Sequence, residues 1–173
     1  MLRGQNSRKK QADERFGSMA DLSVGAKAPD FTLPRDGGGE ISLGELAGKT
    51  VVLYFYPKDD TSGCTVESIA FTGLTADFEA ANAVVVGMSP DSAKSHDKFV
   101  KKHSLGVILA ADEQRSVLEA YGVWTEKSMY GKKYMGVERT TVLIKPDGTI
   151  ARIWNKVKVP GHAEEVLAAV KAL

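Results

Sequence analysis

Short apolar runs alternate along the chain with stretches in which apolar side chains return every three or four positions. TVVLYFY, residues 50–56, is an unbroken run rich in β-branched and aromatic residues and is stopped by Pro57, which predicts a strand buried on both faces. Beyond Cys64, the positions Phe71, Leu74, Phe78 and Ala81 recur at helical spacing and predict one amphipathic helix. AVVVGMS, residues 83–89, predicts a second buried strand. Ser89 then fits an N-cap with Pro90 in the first helical position, and Lys101, Lys102 and His103 suit the last turn of that helix, where positive charge complements the dipole. VILA, residues 107–110, predicts a third strand and EQRSVLEAYG a third helix closed at Gly122. TTVLI, the turn KPDG and TIARIW predict a hairpin. A terminal helix opening at Pro160 has Glu164 and Glu165 in its first turn and Ala163, Val166, Leu167 and Val170 on one face. Ahead of all these, DFTLP, RDGGGE and ISL predict a small hairpin around a glycine-rich turn, followed by a short helical GELAG.

The order β-α-β-α-β-α-β-β-α defines an α/β fold with a mixed central sheet flanked by helices. With a thiol just after the first core strand and a hairpin at the N-terminus, the expected sheet is thioredoxin-like. The 173 residues suit one domain, expected over residues 23–173. Residues 1–22 are expected to be a disordered or tag-like tail, with Met19 a candidate second start; the first 18 residues hold five Lys/Arg against two Asp/Glu and lack the apolar core of a secretory signal. A basic docking arm is the second reading of that tail. No apolar stretch approaches a membrane span, and a net charge of +1 gives no global footprint for nucleic acid or an anionic surface. The glycine-rich turn opens no long helix and is followed by no Lys-Ser/Thr, so it is read as a turn and not as a phosphate cradle.

The one cysteine excludes an internal disulfide and any cysteine-rich zinc site, and fits a reducing compartment, expected to be the cytoplasm. Cys64 falls where the first core strand has ended and a helix begins. Unpaired N–H groups and the positive end of the helix dipole there favour a thiolate, which is the nucleophilic form. Thr61 can offer a hydroxyl to the sulfur, Gly63 lets backbone approach closely, and Pro57 pre-sets the exit from the strand. A free cysteine is often only a small buried hydrophobe; the polar KDDTSG before it argues against a sealed core position. His96, His103 and His162 stand at no metal spacing, and His96 and His103 are read on a solvent-facing helix, so no metal site is expected and none is a base for Cys64. EKSMYGKKYMG is read as a solvated loop bordering the site.

PKDDTSGCT fits the pattern Pro-x-x-x-Thr/Ser-x-x-Cys, and with FYPKDDTSGCTVE, YGVWTEKSMYGKKYMG and ERTTVLIKPDGTI in that order the chain resembles the peroxiredoxins, in their bacterioferritin comigratory protein or PrxQ branch, from about residue 23 to the C-terminus. The resemblance implies a thioredoxin-like fold and a thiol peroxidase that reduces hydrogen peroxide and organic hydroperoxides, with no metal, flavin or haem. It implies Cys64 as peroxidatic cysteine, Pro57 and Thr61 as the shielding loop, and Arg139 as the arginine completing the site. Glu67, Tyr56, Gly63 and Trp124 are candidate pocket residues; for Glu67 stabilisation of the helix N-terminus is an equal alternative, and for Tyr56 and Trp124 packing is the commoner role. Many members of the branch have a second cysteine five residues after the first, where this chain has Ile69, and Ser62 replaces a usual proline. The resemblance therefore implies a 1-Cys enzyme recycled by an external thiol such as thioredoxin, or glutathione with glutaredoxin, acting as a monomer or weak homodimer. Rival readings are a thiol-disulfide oxidoreductase, disfavoured because Thr61 stands where a Cys-x-x-Cys partner would, and a thiol sensor or binding module.

Overall fold

The computed structural model describes residues 22–173, so the tail expected over residues 1–22 lies, but for Leu22, outside the described residues. The apolar run predicted from sequence becomes β3 (Thr50–Phe55), every residue of which is buried. It is the middle strand of a five-stranded sheet ordered β5-β4-β3-β8-β9, with β4 (Ala83–Ser89), β5 (Ile108–Ala111), β8 (Thr140–Ile144) and β9 (Ile150–Trp154). β3 pairs parallel with β4 and antiparallel with β8, which makes the sheet mixed. A separate hairpin joins β1 (Thr32–Pro34) to β2 (Glu40–Ser42) around Gly37, Gly38 and Gly39, all at positive φ. A 3-10 turn, Gly44–Leu46, follows.

Side-chain alternation along β3 feeds two cores. Val51, Leu53 and Phe55 enter one cluster with Phe31, Leu118, Tyr121 and Val142, whereas Val52, Tyr54 and Tyr56 enter the other with Phe71, Phe78, Phe99 and Val166. The second cluster lies under α1 (Ser62–Gly73), α2 (Thr75–Ala80), α3 (Ala93–His103) and α5 (His162–Lys171), and it contains Cys64; α4 (Ser116–Ala120) covers the first. Tyr54 lies flat across β4 because residue 87 is glycine: a Cβ there would stand 2.6 Å from the Tyr54 ring.

Several boundaries differ from the sequence reading. The single helix expected after Cys64 breaks at Leu74, where the Thr75 hydroxyl donates to the Thr72 carbonyl at 2.7 Å and competes with the helical ladder. α3 is capped by Ser92, whose hydroxyl accepts from Ser95 N at 3.1 Å, and not by Ser89, which ends β4 and donates to Asp91 Oδ2. The terminal helix starts at His162 behind Gly161 in place of Pro160. EKSMYGKKYMG is no loop: β6 (Trp124–Met129) and β7 (Lys132–Val137) form a two-stranded hairpin turning at Tyr130 and Gly131.

Candidate active site

Pro57 ends the strand, Thr61 occupies the N-cap in extended conformation, and α1 begins at Ser62. Cys64 is therefore the third helical residue, and its N–H lies among those that helix geometry leaves without a carbonyl four residues back. The first bond of the helix runs from Thr65 N to Thr61 O at 2.8 Å. Contrary to the sequence expectation of an open position, Cys64 is only 1% exposed. The reason is the aromatic layer beneath it: Tyr54 stacks on Tyr56 and Phe71 at 5.6 and 4.8 Å between ring centroids, and α1 presses its first turn onto that layer.

Arg139, one residue ahead of β8, reaches the sulfur from the neighbouring strand end. Its Nη2 donates to Cys64 Sγ at 3.2 Å and its Nη1 to Glu67 Oε1 at 2.6 Å. Gly63 makes room for this approach, since a Cβ there would meet Arg139 Nη2 at 3.3 Å. Glu67, one turn beyond Cys64, is 1% exposed, and its second oxygen has no partner. Burial pushes its carboxyl up to about 7 against the pull of Arg139. Burial also pulls the guanidinium down, but the charges of Glu67 and Cys64 outweigh it and hold Arg139 above its ordinary value. The result is a fixed cation beside a buried sulfur, with a carboxylate steadying the cation from behind.

The chain's sequence and shape can be set beside known proteins at this point. Residues 24–153 match the AhpC/TSA family. A bcp protein of Coxiella burnetii is 50% identical over 84% of this chain and 97% of its own. Peroxiredoxin Bcp of Bacillus subtilis is 44% identical over 87% and 96%. The solved structure of Xanthomonas campestris peroxiredoxin Q superposes with a TM-score of 0.81 at 44% identity, covering 88% of this chain and 97% of that one. The chain belongs to the AhpC/TSA family, in its Bcp/PrxQ peroxiredoxin branch. Its thioredoxin-like fold and its single thiol agree with a 1-Cys member of that branch.

Other candidate residues of this peroxiredoxin fall in different places. The Thr61 hydroxyl donates to the Lys58 carbonyl at 2.8 Å, closing the loop on itself and not addressing the sulfur. Tyr56 packs in the Cys64 cluster, but its hydroxyl turns away and donates to Asp59 Oδ1 at 2.6 Å. Trp124 packs against the other core cluster, with Arg115 over its ring at 5.2 Å.

One group of residues escaped the sequence reading. His96 is fully buried and not solvent-facing; its Nδ1 lies 2.7 Å from Asp59 Oδ2 and its Nε2 2.9 Å from the Ala110 carbonyl. Both ring nitrogens face acceptors, an arrangement that favours the doubly protonated ring. Burial pulls His96 down, but Asp59 outweighs it and holds it above its ordinary value. Ser95 Oγ donates to Asp59 Oδ2 at 2.8 Å, and Asp59 N donates to Asp91 Oδ2 at 2.8 Å. On the surface Asp60 accepts from Lys102 at 2.7 Å and pairs with His103 at 2.8 Å. The loop ahead of Cys64 is thus bolted to α3. The signal in the sequence was the two acids in KDDTSG, which had no assigned partner. Among the described residues no His, Cys, Asp or Glu side chains converge as a metal-binding group, and no helix is long and apolar enough to cross a membrane.

Proposed function

We propose that Cys64 is the peroxidatic nucleophile of this peroxiredoxin and that Arg139, steadied by Glu67, is the group that stabilises charge as the peroxide bond breaks. The observation that carries this reading is the bridging guanidinium, 3.2 Å from Cys64 Sγ on one nitrogen and 2.6 Å from Glu67 on the other. The thiolate attacks one peroxide oxygen in line with the O–O bond. A sulfur–oxygen bond forms, the O–O bond breaks, and the departing hydroxide or alkoxide takes up a proton as water or alcohol, leaving Cys64 as sulfenic acid. Arg139 and the Cys64 N–H are fixed before reaction, so their stabilisation of the transferring charge costs no reorganisation. Gly63 admits the guanidinium, Pro57 and Thr61 set the loop, and Tyr56 belongs to the aromatic layer beneath the sulfur.

Substrates are hydrogen peroxide and organic hydroperoxides; the solved Xanthomonas campestris bacterioferritin comigratory protein, 44% identical, was studied for alkyl peroxide reduction. With one cysteine in the chain, the sulfenic acid is returned to thiol by an external reductant, and in its absence further peroxide carries it to sulfinic acid. The enzyme works in the cytoplasm, where such reductants are kept, as a monomer or weak homodimer. Steady-state peroxide consumption with excess small thiol tests this reading. Wild-type protein turns over, Cys64→Ser does not, and non-reducing electrophoresis shows no intramolecular disulfide. Turnover retained by Cys64→Ser would end the proposal.

A further inference from the structure

Residues of the β6–β7 hairpin line a depression that reaches Arg139, the residue whose guanidinium contacts the sulfur. The hairpin's register sets Thr125 opposite Gly136 and Lys127 opposite Tyr134 on one face. Thr125, Lys127 and Tyr134 line, with Arg139, Lys156 and Val157, this open depression of about 620 Å³ next to the residue that contacts the sulfur. Hydrogen peroxide fills a small fraction of such a space; cavities of roughly 300–1,000 Å³ hold organic molecules of tens of atoms. The depression is therefore larger than the peroxide step requires.

The charge in this depression is also in excess of that step. Lys127 and Lys156 stand beside Arg139, which is paired with Glu67; of the two carboxylates there, Glu126 and Glu138, Glu126 is already paired with Lys133 at 3.5 Å. Among the described residues neither Lys127 nor Lys156 is in an ion pair. The Lys127 side chain is half-buried, and at the exposed Lys156 it is the backbone that is fixed. The Lys127 stem lies over Gly136, where a Cβ would stand 3.3 Å from Lys127 Cδ and 3.4 Å from the Tyr134 ring. Lys156 has φ 48°, a left-handed backbone that costs energy in a residue with a Cβ, and the next residue is fixed to the site by Val157 N donating to Arg139 O at 2.9 Å. Burial, then the charge of Arg139, pushes Lys127 below its ordinary value, with Glu138 and Cys64 opposing, so this ammonium sits in the field of the reacting groups.

Resting on the peroxidase reading of Cys64, we propose that this depression is the binding site for the external reductant, a small thiol bearing carboxylates, with Lys127 and Lys156 holding the carboxylates and Arg139 forming the wall next to the sulfur. A tripeptide spans at most about 10 Å, so one small molecule can present its carboxylates to the lysines and its thiol several ångströms away, past Arg139. The thiolate of the reductant attacks the sulfenic sulfur; an S–S bond forms, the S–O bond breaks, and hydroxide leaves with a proton as water. A second thiolate attacks the ligand sulfur of this mixed disulfide, forming a small-molecule disulfide and releasing Cys64 as thiolate. Two thiols lose two electrons and the sulfenic sulfur gains them.

The test uses glutathione and its diethyl ester, which differ in carboxylate charge, against protein oxidised with one equivalent of hydrogen peroxide. Wild-type protein reduces its sulfenic acid about tenfold faster with the acid than with the ester, as expected of two ion pairs of modest strength. That ratio falls to about three in Lys127→Gln and in Lys156→Gln, persists in Lys133→Gln, and shrinks as salt is raised from 50 to 500 mM. A ratio near one in wild type, or an undiminished ratio in both Lys127→Gln and Lys156→Gln, overturns the proposal. Calorimetry with S-methylglutathione on reduced protein separates this from the peroxidase reading, because it needs neither peroxide nor a thiol. Binding that is lost on esterification and in Lys127→Gln supports the site assignment even if no sulfenic acid forms; no binding by wild type counts against the site alone.

Discussion

Two buried ion pairs flank the end of β3, and they are built to opposite specifications. Asp59–His96 joins the loop ahead of Cys64 to α3, and every polar atom in it is used: Tyr56 donates to one carboxylate oxygen, Ser95 and His96 to the other, and the second imidazole nitrogen to Ala110 O. Glu67–Arg139 joins α1 to the start of β8, and it is left incomplete. One glutamate oxygen has no partner, and one guanidinium nitrogen extends to a sulfur. A pair whose hydrogen bonds are all made can only hold its elements together, because any new partner must displace an old one. A pair with a spare donor aimed at a nucleophile can answer charge that appears there.

Breaking the saturated pair gives the largest effect. His96→Phe strands the Asp59 carboxylate in the interior and lowers folding stability by about 3–5 kcal/mol in denaturant titration. The folded state raises the His96 value, so the contribution of this pair is complete below the ordinary value of 6.5 and is lost as pH rises through the folded value above it. The gap between variant and wild type accordingly narrows on the alkaline side. An undiminished melting temperature in His96→Phe would remove the structural role assigned to this pair.

Glu67→Gln sharpens the contrast through pH. The folded value of Glu67, about 7, lies above its ordinary 4.5, so its contribution to stability is greatest below pH 4.5 and is lost as pH rises through about 7. Relative to wild type, Glu67→Gln gains stability between pH 5 and pH 8 by about 2–3 kcal/mol. Parallel stability profiles for the two proteins would contradict the burial of that carboxyl. The smallest effect belongs to the loop. Thr61→Val removes the bond to Lys58 O at an exposed position, costing about 0.5–1 kcal/mol in stability.

The elements of the sheet that were plain in the sequence are those whose burial is written locally. TVVLYFY buries both faces, so its apolar run needs no partner to be recognised, and the thiol at its helical exit follows directly. Arg139 entered through family resemblance, and the structure brings it to the sulfur across 75 residues of chain. The β6–β7 hairpin carries lysines, glycines and half-exposed side chains with no clean alternation, so its strand character rests on cross-strand pairing alone. His96 looked solvent-facing because the residues around it on α3 are polar, and its reason for being buried lies 37 residues upstream in Asp59. Ser89 and Ser92 both satisfy the local rule for a cap; the choice between them was made by the ladder of β4, which runs through Ser89.

The most direct measurement is the second-order rate constant for oxidation of the Cys64 thiol by hydrogen peroxide, read by rapid mixing at a temperature where all proteins are folded. Arg139→Ala is expected to lower it by about 10²–10³-fold, the loss typical of removing one preorganised donor from a developing charge, whereas Asp59→Asn changes it far less than it changes stability. Equal rates in wild type and Arg139→Ala would contradict the claim that the unsaturated pair performs the chemistry.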